Sequence, residues 1–350
     1  MIKVLVTAIG GGGHGDQILK ALRMAPPGKY VIFGADANPA CAQASLVDRF
    51  VTLPLATSPD YLSTLMTVCR QLGVQVLFHG CEPELQIFAA NRELIQNEGI
   101  FLPINDSSLI QLCMNKVALN ERLDSLGFPG PRYTRINSIA DLQKIDWFPV
   151  VVKPHVGSGG SANVFIAQDI NELEALAMYL GLGELVDGFM VQEYVGTPDQ
   201  EYTVGVLHDL QGRYVNSIAL RRHLSSGLSV RTKVINRTKR PELGKMLVIS
   251  SGVSQGDIGR FTEVTTQCQE IAERLGSKGP LNIQCRLVNG QVKVFEINPR
   301  YSGTTSLRAM VGFNEPDILI THHLCGVKIA TNFDYECKTI LRTLSEAMLD

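Results

Sequence analysis

Along the first hundred positions, short apolar runs at 2–8, 30–35 and 74–79 alternate with stretches at 17–24, 61–72 and 84–97 whose apolar residues recur at helical spacing. Nearly continuous apolar runs suit strands buried on both faces, and their alternation with helices predicts a doubly wound parallel sheet. Asn105, Asp106 and Ser107 are cap candidates for a helix over 107–126 closed by Gly127, and Gly127-Phe-Pro-Gly-Pro131 reads as a linker. A strand at 148–154, a glycine-rich loop, a strand at 162–167, a helix at 171–180 and a strand at 189–195 follow. Beyond Glu201, strands at 202–207, 214–220, 281–287 and 292–297 predict an antiparallel, helix-covered unit. The expected class is thus α/β and α+β. An N-terminal Rossmann-like domain over 1–105 precedes a linker helix and small lobe over 106–190 and a C-terminal lobe over 191–350. No tandem repeat or low-complexity tract interrupts this order.

The last two strands flank the turn Asn289-Gly290 and carry Asn282, Gln284, Glu296 and Asn298. Glu296 and Asn298 are two apart and share a strand face, while Pro299 ends the ladder and presents Arg300. Mg²⁺ prefers octahedral oxygen ligation and needs only one or two carboxylates when phosphates complete its shell. Gln284, Glu296 and Asn298 are therefore candidate metal ligands for a magnesium–triphosphate site. The same pattern also fits a half-buried hairpin with Gln284 and Glu296 merely solvated.

At the N-terminus, Gly10 to Gly15 satisfies G-x-G-x-x-G between a strand and a helix, and Asp36 ends the next strand. An NAD(P)-linked oxidoreductase is one expectation from that pattern, with pyrophosphate on the helix start and Asp36 on a ribose. Any βαβ start needs such glycines for its turn and helix packing, and the turn can equally cup a substrate carboxylate. Gly12, His14 and Asp36 are kept as candidate substrate-pocket residues. Glu82 and Glu84 also lie at strand ends of this domain, where open α/β sheets bind ligands, though each can serve as a cap or ion-pair member.

Lys153 ends its strand just before Gly157, Ser158, Gly159, Gly160 and Ser161, without the order of a P-loop. Backbone N–H groups of such a loop can wrap phosphate oxygens while the lysine supplies a point charge, although a surface turn explains the glycines too. Taken in order, Asn115-Lys116, Val151-Val-Lys-Pro154, the glycine loop, Val191-Gln-Glu-Tyr-Val195 with Glu201-Tyr-Thr-Val204, Asn282-Ile-Gln284 and Glu296-Ile-Asn-Pro-Arg300 resemble the ATP-grasp superfamily. The resemblance covers nearly the whole chain and is nearest to the ATP-binding module of the carbamoyl-phosphate synthase large chain and to single-module carboxylate–amine ligases. It implies a two-lobed ATP-grasp fold after the first domain. It also implies that Lys116, Lys153 and the loop contact ATP, that Glu193 and Val195 line the adenine through their backbone, and that Glu201 holds the ribose. Gln284, Glu296 and Asn298 match the family's Mg²⁺ (or Mn²⁺) ligands, and Arg300 its phosphate-contacting arginine.

Phosphoryl transfer relies on positioning and charge neutralisation. The expected activity is ADP-forming: a small carboxylate, an amino acid in the first instance, becomes an acyl phosphate and is joined to an amine. Bicarbonate activation of the carbamoyl-phosphate-synthase or biotin-carboxylase kind is the alternative, and a non-catalytic nucleotide-binding protein a further one. Arg308, in the helix expected after Gly303, can pair with a substrate carboxylate or be a solvated helix arginine. Among Arg221, Arg222, Arg231 and Lys233, the last two share a strand face and are the favoured catalytic pair beside Arg300.

The 350-residue chain has a net charge of -2, from Lys+Arg 32 against Asp+Glu 34, and so lacks the basic field of a nucleic-acid or anionic-membrane binder. No signal-peptide pattern or membrane-length apolar run is present, so a cytoplasmic location is expected. Its eight cysteines lack zinc or redox spacing and are expected to be reduced thiols. A homo-oligomer remains open.

Overall fold

The protein is seen in a computed structural model that describes residues 1–154, 163–181 and 188–347. Its first sheet has strands β1 (Ile2–Val6), β2 (Tyr30–Asp36), β3 (Arg49–Thr52) and β4 (Val76–Phe78) in the order β3-β2-β1-β4, all parallel. Helices α1 (His14–Arg23), α2 (Tyr61–Leu72), α3 (Glu82–Ala90) and α4 (Arg92–Asn97) complete this doubly wound unit. Gly15 is required where α1 starts, because a Cβ there would lie 2.5 Å from the Ala8 carbonyl oxygen. The expected helix over 84–97 is two helices that meet at Asn91.

The expected helix over 107–126 is likewise two, α5 (Ser107–Met114) and α6 (Lys116–Ser125). Asn115 divides them by capping α6: its Oδ1 accepts from the N–H groups of Val117 and Ala118 at 3.1 Å each. A small antiparallel sheet follows, made of β5 (Tyr133–Ile136), β6 (Val150–Pro154), β7 (Phe165–Ala167) and β8 (Phe189–Glu193) in the order β5-β8-β6-β7, with α7 (Ile139–Leu142) and α8 (Ile170–Tyr179) on it. β8 thus carries this sheet past residue 190 to Glu193.

The large sheet runs β15-β14-β9-β10-β13-β16, built from β9 (Glu201–His208), β10 (Tyr214–Arg222), β13 (Gly256–Gly259), β14 (Pro280–Val288), β15 (Gln291–Asn298) and β16 (Lys338–Ile340). A separate hairpin, β11 (Val230–Ile235) and β12 (Met246–Ser250), rises beside it. Helix α9 (Thr262–Arg274) covers one face, where Val264, Cys268 and Ile271 pack on Val204, Ile283 and Ile297. On the other face, Ile218 and Leu220 join Tyr301, Leu307 and Phe313 of the segment containing α10 (Thr305–Met310) and α11 (Glu315–Cys325), and Val4, Ile18 and Phe78 of the first unit, in one core. The parallel sheet and the large sheet are therefore held together by shared apolar packing, and their strand ends face a common space. Among the described residues no helix is long and apolar enough to cross a membrane.

Candidate functional site

Alternation along β9 and β14 places Glu201, Thr203 and Gly205 on one face, opposite Arg286, Gln284 and Asn282 in that order. β15 adds Glu296 beside Gln284 and Asn298 beside Asn282. Gln284 Nε2 donates to Glu296 Oε2 at 3.1 Å, so its side-chain oxygen is not the atom used in that bond. Asn298 lies deeper, with its Oδ1 accepting from Arg300 Nη2 at 3.2 Å. The register shift after Gln284 leaves Phe295 bulged, and its carbonyl accepts from Lys153 Nζ at 2.9 Å.

Two cavities meet at this row. The first lies between the small sheet and the large one, with Lys116, Lys153, Gln192, Glu193, Tyr194 and Val195 on one side and Glu201, Val248, Ser250, Arg286 and Phe295 on the other. The second, of about 440 Å³, lies between the large sheet and the first unit, with Gly11–His14 and Gly80–Pro83 facing Thr203, Arg222, Asn282 and Arg300. Gln284 and Glu296 line both.

In the first cavity Lys153 is buried, and its Nζ also donates to Gln192 Oε1 at 2.8 Å. Burial lowers its pKa to about 7, the neighbouring Lys116 charge adds to that, and Glu296 opposes it. A buried lysine with no ion-pair partner among the described residues is suited to receive anionic oxygens. Glu201 is also buried, with Oε2 taken by Arg286 Nη2 at 3.0 Å and Oε1 lacking a hydrogen bond among the described residues, 3.5 Å from Arg222. Arg286 further donates to the Val195 carbonyl at 3.0 Å and stacks on Tyr194, 4.4 Å from its ring centre. The Glu193 carboxylate pairs with Arg240 at 2.9 Å, so that side chain is occupied outside the cleft.

In the second cavity Arg300 donates to Glu82 Oε1 at 2.9 Å, and its Nε is buried with no acceptor among the described residues. Arg222 donates to Ser250 Oγ at 3.0 Å and to the Ser251 carbonyl at 2.7 Å, and its Nε is orphaned in the same way. Unpaired buried donors on two arginines of one wall are costly unless an anion is their partner. His14 lies against His79, Nε2 to Nδ1 3.3 Å, and both imidazoles are held neutral: burial comes first and Arg300 second, lowering His79 to about 3. Cys81 shares this wall, but burial and Glu84 push its thiol up to about 12, so it is no thiolate nucleophile.

Several expected residues are placed elsewhere. Arg308 is buried, donates to Glu315 at 3.1 and 3.2 Å and to Asn282 Oδ1 at 2.7 Å, and is neither a solvated helix arginine nor among the lining residues of either cavity. Gly205 leaves room for it, since a Cβ there would sit 2.2 Å from Arg308 Nη1. Arg231 and Lys233 do share a strand face, but it is the exposed face of β11, and Lys233 lines a different hollow beside His223 and Lys245. The basic residue of that cluster that turns inward is Arg222. Glu84 is structural, accepting from Thr7 at 2.6 Å, Tyr61 at 2.7 Å and the Gly80 N–H at 2.9 Å. Gly12 reaches the second cavity, whereas Asp36 accepts from the Gly10 N–H at 2.7 Å one cavity further on. Gly157, Ser158, Gly159, Gly160 and Ser161 lie outside the described residues. Arg286 is the important residue that sequence reasoning missed; its spacing of two from Gln284 on the same strand was the available signal.

Among the described residues there is no group of three or more His, Cys, Asp or Glu able to hold a metal. One carboxylate with amide oxygens fits an ion that arrives carrying phosphates, rather than one held in a protein cage.

Residues 186–342 match the family model described as "ATP-grasp in the biosynthetic pathway with Ter operon", and residues 5–104 match that described as "PylC-like, N-terminal domain". The carbamoyl phosphate synthase large chain of Thermoplasma acidophilum is 25% identical over 303 residues, 84% of this chain; the chain spans only 27% of that relative. An L-amino acid ligase from Bacillus licheniformis superposes with a TM-score of 0.66 at 17% identity, over 93% of this chain and 74% of that one. A biotin carboxylase from Campylobacter jejuni gives a TM-score of 0.65 at 13% identity, over 91% and 70%.

Proposed function

Carrying an ATP-grasp domain, the chain belongs to the ATP-grasp superfamily, and on that premise we propose that it is an ADP-forming ligase that activates a small carboxylate and joins it to an amine. The observation that carries the reading is the shared wall: Gln284 and Glu296 belong at once to the cleft with Lys153 and to the cavity with Arg300 and Arg222. A triphosphate in the first and an acid in the second would meet there.

In this account ATP lies between the sheets, with Val195 and Glu201 toward the nucleoside, and Lys116 and Lys153 on the phosphates. Gln284 and Glu296, with Asn298 behind them, would hold Mg²⁺, which supplies charge neutralisation to the β- and γ-oxygens. Arg300 and Arg222 hold the acid so that a carboxylate oxygen attacks the γ-phosphorus while the bond to the β-phosphate oxygen breaks, giving ADP and an acyl phosphate. The amine nitrogen then adds to the acyl carbon, phosphate departs, and the nitrogen gives up a proton. Orientation within two adjoining cavities contributes most, since holding reactants in line replaces a bimolecular encounter.

Bicarbonate activation is the second reading, favoured by the carbamoyl phosphate synthase relative. A cavity of about 440 Å³ is far larger than a three-oxygen anion needs, a water taking about 30 Å³, and this favours a larger acid. The test is ADP release from ATP with pooled carboxylates and amines, and mass spectrometry of the product. An amide product whose formation matches ADP release supports the ligase; ADP release with bicarbonate alone would favour the second reading, and none with any acid would refute both.

A further inference from the structure

Beyond the second cavity lies a third, of about 630 Å³, and the two share Gly11, Gly12, Gly13, Gly80 and Cys81 as a common wall. The second cavity carries Arg300 and Arg222 together with the carboxylates Glu82 and Glu296, and the N–H end of α1 at Gly11–Gly13 borders both cavities. The third has Asp36 as the one charged side chain among its described lining residues, together with the amides of Asn38 and Gln43.

The acceptors there have capacity to spare. Among the described residues, Asp36 Oδ2 accepts only the Gly10 N–H at 2.7 Å and Oδ1 only the Asn38 N–H at 2.9 Å, while a carboxylate has about four acceptor sites. Asn38 Oδ1 accepts from the Ala40 N–H at 3.0 Å. Gln43 Oε1 faces the Cys41 thiol at 3.6 Å. A groove in which a carboxylate without an ion-pair partner among the described residues keeps spare acceptor sites receives a cationic donor group at least cost.

We propose that the acid substrate bears an amino or guanidino group at the end remote from its reacting carboxylate, and that the Asp36 cavity is the binding site for that cation. The carboxylate end then lies beside Arg300 and Glu296, and the chain between the two charges passes the glycine turn, where Gly11 and Gly12 present no side chain. This rests on the ligase reading for which end reacts, and on the cavity itself for what binds. It also gives the N-terminal G-x-G-x-x-G and Asp36 a use other than a dinucleotide.

The test measures binding without turnover, by calorimetry of the full chain with L-arginine, L-lysine, L-ornithine, L-norleucine and L-glutamate, with no nucleotide present. At least one of the three basic amino acids is expected to bind tenfold or more tightly than L-norleucine. Asp36→Asn removes the charge and keeps one of the two backbone N–H contacts, its amide nitrogen being unable to accept the other, and is expected to weaken that binding at least tenfold while the affinity for ATP stays within twofold. Gln43→Lys, which brings a competing cation to the cavity rim, is expected to act in the same direction and covers a folding failure of the first variant. Equal binding of L-norleucine, no binding by any basic amino acid, or affinity unmoved in both variants overturns the proposal. So does NADH binding that depends on Asp36, which would assign the cavity to a ribose diol. Because no ATP is consumed, a chain that binds a basic amino acid through Asp36 but releases no ADP with it would refute the ligase reading and leave this site standing.

Discussion

Binding of ATP is expected to take up a proton at Lys153. Without nucleotide, burial and Lys116 hold this lysine near a pKa of about 7; the negative charge of a triphosphate placed against it opposes that depression and raises it toward its ordinary value of 10.5. At pH 8 only about one unliganded molecule in eleven carries the charge, so binding draws in about 0.9 proton. The linked affinity falls accordingly, and Kd rises roughly fifteenfold between pH 7 and pH 8.5. Calorimetry in Tris and HEPES, which differ in ionisation enthalpy, reads the uptake directly when excess magnesium keeps ATP itself deprotonated. Lys153→Met should abolish both the uptake and the pH slope. An uptake below about 0.2 proton at pH 8, or one that persists in Lys153→Met, would refute the placement of Lys153 on the phosphates.

The same lysine makes stability pH-dependent without nucleotide. The folded chain releases its proton near pH 7 and the unfolded chain near 10.5, so the unfolded state binds more protons in that window and urea-unfolding stability from this group rises with pH across it; Lys153→Met should flatten the rise. Arg308→Leu strands the buried Glu315 carboxylate and should cost about 3–5 kcal/mol in urea unfolding, with part recovered when Glu315→Leu is added. Unchanged stability would contradict the buried pair. Arg222→Ala should reduce kcat/KM for the acid by about a hundredfold, in keeping with loss of a charged hydrogen-bonding partner; Arg231→Ala and Lys233→Ala should stay within about twofold, and the reverse order would restore the outer pair to the site.

Where a residue's environment is set by its own strand, the sequence was readable. The Asn289-Gly290 turn and the alternation around it located β14 and β15, and the spacing of Glu296 and Asn298 put both on one face. The doubly wound unit was legible because buried parallel strands are continuous apolar runs. β3, β13 and β16 were not, because short strands at or near a sheet edge, such as Gly256–Gly259, carry little apolar pattern. Asn115 and Asn91 look like ordinary helix residues in a linear reading, and only their non-helical backbone, φ -104 and ψ 100 at Asn115 and φ -116 and ψ 25 at Asn91, shows them as boundaries. Choosing Arg222 over Arg231 and Lys233 depended on which strand enters the large sheet. The Arg308–Glu315 pair joins two helices across a turn, a contact that no periodicity encodes. The third cavity needed the relative placement of the β1–α1 turn, the end of β2 and the loop at Gly80, which belong to three separate stretches of chain.

The central claim is that Glu296, with Gln284 beside it, receives a magnesium ion carried by ATP. Calorimetric ATP affinity, measured with excess magnesium and again in EDTA, tests it most directly in the wild type and in Glu296→Gln. The wild type should bind ATP at least tenfold more tightly with magnesium, whereas Glu296→Gln should lose most of that gain and match the wild type in EDTA. Full magnesium enhancement in Glu296→Gln would contradict the account.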